Sequence, residues 1–400
     1  MPKTDRVVFL VESSFSESEY QRLNLLSLLR QGLTVEVWDC SAALTPGPEG
    51  GRDTTAHLGV SVRVFSDLKH VAETIITEAQ REVFFVCMLE YRWRSRRVFA
   101  ALGRARARYC LLLTDVQPFG KTAIRSRLFA GSVAKFRGAE WDSLFFTLPA
   151  RLWGVRPPEL IIAGGASCLT PTDTRVAGSA SRVLWAHALD YDRFRNVSRP
   201  RRLHTRPTAV FLDQFLEGHP DQFRSGGPFC DPSTYYSNLQ RAFESLEADL
   251  GIEVLIAAHP RADYETPDAR FGKREIVHGR TPELVAECRL VLAHDSTAVG
   301  YAVLFGVPVT FITDDGIGRS PIRAASARTM ASLLGRRLYN LDREPFPNWI
   351  HELKLDHRRY ESYRTAFMKR EGTPDRPLWD IFADYLEGKI ETDRFGDIRR

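Results

Sequence analysis

Apolar runs of strand length alternate with segments of helical period along most of this chain, and that alternation leaves few folds open to it. Arg6–Glu12 reads as a strand, Ser16–Leu33 as a helix and Thr34–Cys40 as a strand. After a Gly- and Pro-rich loop at Thr45–Asp53 come strand-like Val60–Phe65, helical Asp67–Ala79, a strand at Arg81–Leu89, helical Arg94–Arg106 and a strand at Tyr109–Asp115. Several of these strands are apolar throughout, which indicates a parallel sheet covered by helices on both faces. Val83–Leu89 has a strand's length, and no run approaches the roughly 18 apolar residues of a membrane span.

The pattern fades from about Asp115 to Gly154. It returns with a short strand at Glu159–Gly165, ending in two glycines, and another at Arg182–His187. Arg193–Pro207 carries six arginines and two prolines and reads as a junction. Beyond it the alternation restarts: strand Ala209–Phe215, helix Asp231–Leu250, strand Ile252–Ala258, a short strand Arg274–His278, helix Thr281–Cys288, strand Arg289–His294, helix Ser296–Phe305 and strand Val307–Thr313. A charged helical tail follows Tyr339, closing on an amphipathic helix around Pro377–Phe382. No internal repeat is visible. The expectation is an α/β protein of two αβα halves, a linker and a helical tail. Such sheets bind ligands beyond the carboxyl ends of their strands, so a cleft between two halves is the default site.

A length of 400 residues suits two or three domains. With 55 Lys and Arg against 50 Asp and Glu, the net charge of +5 is too balanced for a chain that coats nucleic acid. The start runs straight into a strand pattern, so no signal peptide is expected. Cys40, Cys87, Cys110, Cys168, Cys230 and Cys288 are scattered without a Cys-x-x-Cys pair, and read as small core residues in a reducing cytosol.

The chemistry-bearing segment runs from Ile252 to Thr313. One strand ends in His259-Pro260-Arg261; another delivers Asp295-Ser296-Thr297 to a helix start. Hydroxyls and backbone N–H groups at such a place suit a phosphate, and His259 and Arg261 can add charge-assisted contacts from a neighbouring strand. The plainer alternative is that Ser296 or Asp295 only caps its helix. Between the two strand ends Thr281-Pro282-Glu283 opens a helix with Thr281 as its N-cap, and Arg280 and Thr281 are further candidate cleft residues. No glycine-rich dinucleotide loop or Walker lysine is present.

Asp231 before Pro232 fits an N-cap, and capping alone explains it; the alternative is an ionised, outward carboxylate able to act as a nucleophile. Glu159, after two prolines, is either a surface acid entering a strand or a general base or acid at the cleft. Strand ends at Gly164-Gly165, at His187-Ala188-Leu189-Asp190 and at Asp213-Gln214, the last continuing to His219-Pro220-Asp221, supply further candidate cleft residues: Gly164, Gly165, His187, Asp190, Asp213 and Gln214. No ligand spacing matches a standard metal set. Arg92, Arg94, Arg96, Arg97, Arg104, Arg106 and Arg108 make a basic patch, read as a solvated face or as a surface for an acidic glycan or anionic lipid.

Taken together, these motifs resemble those of bacterial transferases that use CMP-activated sugars, such as sialyltransferases and Kdo (3-deoxy-manno-octulosonic acid) transferases. The order of Pro158-Glu159-Leu160-Ile161-Ile162, His187–Asp192, Phe211-Leu212-Asp213-Gln214, Asp231-Pro232-Ser233, His259-Pro260 and Ser296-Thr297 is most similar to the retaining β-Kdo transferase module of the WbbB type, over roughly Trp153 to Thr313. The resemblance implies a GT-B-type fold of two Rossmann-like domains: an acceptor domain at 1–195, a CMP-sugar donor domain at 207–345, and helices at 346–400 packing back on the N-terminal half. It implies transfer of β-Kdo from CMP-β-Kdo to a saccharide of lipopolysaccharide O-antigen, with retention. Asp231 would be the nucleophile and Glu159 the second acid. His259, Pro260, Arg261, Ser296 and Thr297 would hold CMP. No cofactor or catalytic metal is implied.

The implied acceptor is lipid-linked. That places the chain in the cytoplasm, with peripheral contact at the inner membrane through the basic patch or the Trp379 helix, and no nucleic-acid partner. Two alternatives stand beside this reading: the same fold with another CMP-sugar such as a sialic acid, and a non-catalytic nucleotide- or glycan-binding module.

Overall fold

The computed structural model describes residues 4–44, 59–79, 82–114, 118, 148–171, 174–197, 206–218, 229–265, 268–343 and 345–398. The expected loop at Thr45–Asp53, His219-Pro220-Asp221 and much of the arginine-rich junction lie outside them. The chain forms two compact units: one from Met1–Val116, Leu128–Asp192 and Ala366–Arg400, the other from Gln117–Arg127 and Arg193–Thr365.

In the first unit, β1 (Arg6–Val11), β2 (Thr34–Asp39), β3 (Val60–Val64), β4 (Val83–Cys87), β5 (Arg108–Leu113), β6 (Leu160–Ala163) and β7 (Arg182–Trp185) are parallel, in the order β7-β6-β5-β4-β1-β2-β3. A short antiparallel strand, β14 (Asp393–Arg394), closes the β7 edge. Val83, Phe84, Phe85, Val86 and Cys87 are all buried, because β4 has a packed layer on each face. One layer is built with α3 (Ser41–Leu44), α4 (Leu68–Glu78) and α5 (Arg96–Arg104). The other takes α1 (Glu17–Leu23), α2 (Leu25–Arg30) and Trp379, Ile381 and Phe382 of a helix at Leu378–Leu386.

Trp379 is fully buried, 5.1 Å edge-on from Phe9, and its indole N–H donates to the Leu23 carbonyl. This corrects the expectation that the Trp379 helix meets a membrane: its apolar face is already used in the core.

The second unit holds β8 (Thr208–Leu212), β9 (Glu253–Ala257), β10 (Ile276–Val277), β11 (Leu290–Ala293), β12 (Val309–Thr313) and β13 (Leu338–Asn340), all parallel, in the order β10-β9-β8-β11-β12-β13. Counted from its own first strand, each sheet begins 3-2-1-4-5-6, the doubly wound order whose ligand crevice lies where the winding reverses. In this unit the reversal falls between β8 and β11. The helices at Trp349–Glu352 and His357–Tyr363 belong here and not with the first unit, since Trp349 is fully buried in this core and donates to Ser245 Oγ at 3.1 Å. All six cysteines are buried free thiols.

Candidate functional site

At the carboxyl edge of the second sheet, β8 is followed by Asp213-Gln214, both buried. Asp213 Oδ2 accepts the Tyr264 hydroxyl at 2.8 Å and the His259 amide at 3.3 Å; Oδ1 takes the Phe215 amide at 3.1 Å. Gln214 Oε1 accepts the Asp295 amide at 3.4 Å. This central strand therefore ties the turn after β9 on one side to the turn after β11 on the other. Burial raises the Asp213 carboxyl, and the hydrogen bonds it accepts oppose that rise.

His259-Pro260-Arg261-Ala262 is a tight turn, with the Ala262 amide donating to the His259 carbonyl at 2.9 Å and Pro260 supplying the required φ. The Arg261 amide donates to His259 Nδ1 at 3.2 Å. In the neutral ring that puts the proton on Nε2. Pro260 and Arg261 are exposed and His259 half-buried.

Beyond β11, Asp295 is buried and held by Arg323 Nη2 at 2.7 Å, Ser296 is half-buried and Thr297 exposed. The helix expected from Ser296 begins at Val299 instead, because Ser296 Oγ takes the Ala298 amide at 3.2 Å in a preceding turn. Arg280 stands at the cap position of the helix Thr281–Glu287, where its side chain makes no cap bond.

Asp231 precedes α-helix Pro232–Leu250 and caps it: Oδ1 accepts the Thr234 amide at 2.9 Å and the Ser233 hydroxyl at 2.7 Å. It is exposed, and those two donors hold its carboxyl below the usual range, Ser233 foremost. Capping and an ionised, outward carboxylate coexist. Arg323, whose guanidinium lies 4.8 Å from the Phe229 ring, links the Asp295 turn to the segment just before Asp231. Asp213, Gln214, His259, Asp295, Ser296 and Thr297 thus gather at the carboxyl ends of neighbouring parallel strands, and Asp231 opens the helix that follows β8.

The other predicted residues lie in the first unit. Glu159 precedes β6, at the amino edge of the sheet. Arg108 grips both its oxygens, Nε to Oε2 and Nη2 to Oε1, each at 2.8 Å, and the Tyr385 hydroxyl donates to Oε1 at 2.7 Å. Burial alone would raise its carboxyl; the Arg108 and Tyr385 bonds outweigh that and lower it. This corrects the cleft-facing, proton-accepting reading, since the edge is the wrong one and both oxygens are taken.

His187 is fully buried, with Nε2 bonded to the Arg376 carbonyl at 2.8 Å and Nδ1 to that of Ala188 at 3.0 Å, so it anchors the tail and does not line an opening. Gly164 is buried because the tail crosses it: a Cβ there would stand 2.9 Å from the Phe367 carbonyl oxygen. Gly165 is buried before a turn of 3₁₀ helix, and Asp190 lies half-buried in the first turn of the helix Leu189–Asn196.

Sequence reasoning passed over Glu12 and Glu90, which follow β1 and β4 at the first sheet's own point of reversal, where Glu12 Oε2 accepts the Glu90 amide at 3.0 Å. The signal was available: each is an acid within three residues of the end of an apolar strand. Among the described residues, no three His, Cys, Asp or Glu side chains group as a metal site would need.

No family model matches the chain, and no curated protein matches it. Solved structures do. The calicheamicin glycosyltransferase CalG4 aligns with a TM-score of 0.53 at 14% identity, over 97% of this chain and 98% of that one. The glycosyltransferase SnogD of Streptomyces nogalater aligns at 0.51 and 13%, over 96% and 99%. Staphylococcus aureus MnaA, solved with UDP, aligns at 0.51 and 11%, over 97% and 98%. Likeness at these identities defines the fold. The chain has the GT-B architecture, with two Rossmann-like αβα units and a C-terminal helical segment.

Proposed function

We propose that this chain is a glycosyltransferase that takes its sugar from a nucleotide donor held at the carboxyl edge of the second unit. The observation that carries the proposal is the Asp213–Gln214 hub, which brings the His259 turn and the Ser296-Thr297 turn to one edge. His259 Nε2–H, the two hydroxyls and nearby backbone amides are donors suited to a departing phosphate. The fold neighbours CalG4 and SnogD, glycosyltransferases by their descriptions, support the class.

The finer reading rests on the family resemblance. The donor is CMP-β-Kdo, and Asp231 acts as nucleophile. Its carboxylate oxygen bonds to the anomeric carbon as the bond to the CMP phosphate breaks, releasing CMP. An acceptor hydroxyl then attacks the same carbon, passes its proton to solvent, and displaces the Asp231 carboxylate; two inversions retain configuration. Arg261 and Arg280, exposed at this edge, suit the donor's own carboxylate. Glu159, clamped by Arg108 and Tyr385, is assigned a structural part. A lipid-linked O-antigen acceptor at the inner membrane face completes the proposal; no described helix is long and apolar enough to cross a membrane.

Asp231→Asn is the discriminating variant, because Asn caps helices as well as Asp does but makes no stable glycosyl ester. Transfer should fall by at least about a thousandfold while CMP binding, read by calorimetry, persists. Full activity would remove the nucleophile and leave only the cap. Transfer from CMP-sialic acid and none from CMP-Kdo would move the donor assignment to the other CMP-sugar.

A further inference from the structure

The basic run at 92–108 does not behave as one surface. Arg92 pairs with Glu90, and Arg108 with Glu159. Arg94, Arg96 and Arg97 instead line a cavity of about 350 Å³, with Leu44 and Asp67 also in its wall. These residues follow β2, β3 and β4, so the cavity opens at the carboxyl edge of the first unit's sheet, where α/β sheets hold ligands. The volume lies in the range of small-molecule sites, roughly 300–1,000 Å³.

Three cations share this wall with one acid. Arg94 Nη1 donates to the Leu44 carbonyl at 3.1 Å; Arg96 Nη1 donates to the Trp93 carbonyl at 2.7 Å, and its guanidinium lies 3.6 Å from the Trp93 ring centre. Asp67 Oδ1 is engaged in capping α4 through the Lys69 amide at 3.0 Å. Among the described residues none of the three arginines forms an ion pair. Burial, and after it the charge of Arg97, holds the Arg96 guanidinium below its usual range. Arg96 and Arg97 also open α5, whose first turn holds no acid, and cations there oppose the helix dipole. Among the described residues Asp67 is the one acid in this wall, and a bound anion would compensate the placement.

We propose that this cavity is a binding site for a phosphate-bearing ligand, a phosphate ester or pyrophosphate, gripped by the forked donors of Arg94, Arg96 and Arg97. Three guanidinium groups against one carboxylate match a multiply charged anion better than a single carboxylate. No residue of the proposed donor site takes part, so the inference stands apart from the CMP-sugar reading.

The test titrates the full chain with inorganic pyrophosphate by calorimetry, with and without saturating CMP. The paired substitution Arg94→Gln with Arg97→Gln, at two exposed positions, should weaken the CMP-independent binding at least tenfold. Arg358→Gln, exposed elsewhere, should leave it unchanged. Sedimentation with phosphatidylcholine vesicles, with or without phosphatidic acid, separates the sources. Arginine-dependent capture by phosphatidic acid identifies a lipid phosphate, and pyrophosphate binding without capture identifies a soluble one. If neither pyrophosphate nor the acidic vesicles bind in an arginine-dependent way, the site does not exist. Loss of CMP binding would count only against the donor site.

Discussion

Asp213 and Asp314 are both buried carboxylates at the carboxyl edge of the second sheet, and both accept backbone amides. They differ in their neighbours. Asp314 takes the Ile317 amide at 2.6 Å, but burial, then the nearby charges of Asp342 and Asp315, push its carboxyl up to about 6 against an ordinary 3.8. A raised carboxyl gives stability that is lost as pH rises. Below about pH 4 the group is protonated in both states. Between about pH 4 and 6 only the unfolded chain ionises, and above 6 the full penalty, on the order of 3 kcal/mol, applies. Asp314→Asn keeps an oxygen for the Ile317 amide and removes that penalty. Its melting temperature relative to the parent should therefore rise from pH 4 to pH 7; a constant difference across that range would refute the raised carboxyl. Glu159 shows the opposite balance, with Arg108 and Tyr385 supplying what burial takes away. Local sequence identified the acid but not its partners: Tyr385 lies 226 residues further on.

The second unit's helices and loops fix where these residues stand. The helix Pro232–Leu250 was legible in sequence, since a capping Asp231, a proline in the first turn and Gly251 in the left-handed region are local signals. What holds its start was not legible. Gly316, in the short helix Asp315–Arg319, approaches so closely that a Cβ there would lie 2.6 Å from the Phe229 carbonyl oxygen and 2.8 Å from Cys230 Cα. Both neighbours are backbone, one and two residues before Asp231, so the segment must move to admit a methyl group. Gly316→Ala should cost about 1–3 kcal/mol and reduce transfer more than CMP affinity. Unchanged turnover would show that Asp231 is not positioned from that side. Strand polarity carries a similar lesson. Glu159 enters β6 and so stands at the amino edge of the first sheet, whereas Asp213, His259 and Asp295 leave their strands at the carboxyl edge of the second.

Over the whole molecule, two sheets of the same winding each have their own core. Trp379 belongs to the first, where an alanine would remove a fully buried indole at a cost of about 3–5 kcal/mol. Calorimetry of Trp379→Ala should show one unfolding transition lowered and the other nearly unmoved, with CMP binding intact below the first. Equal shifts in both transitions would mean that the cores unfold as one. Most of the alternation of strands and helices, the parallel character of the sheets and the Asp231 cap were determined by the sequence itself, because each rests on periodicity or side-chain chemistry within a few residues. Tertiary structure alone decided that Glu159 is clamped, that His187 and Gly164 lie beneath the tail, and that Arg94, Arg96 and Arg97 share a cavity. Those outcomes depend on which distant segments meet, and side-chain pairing across such separations is set by packing, which no local pattern encodes.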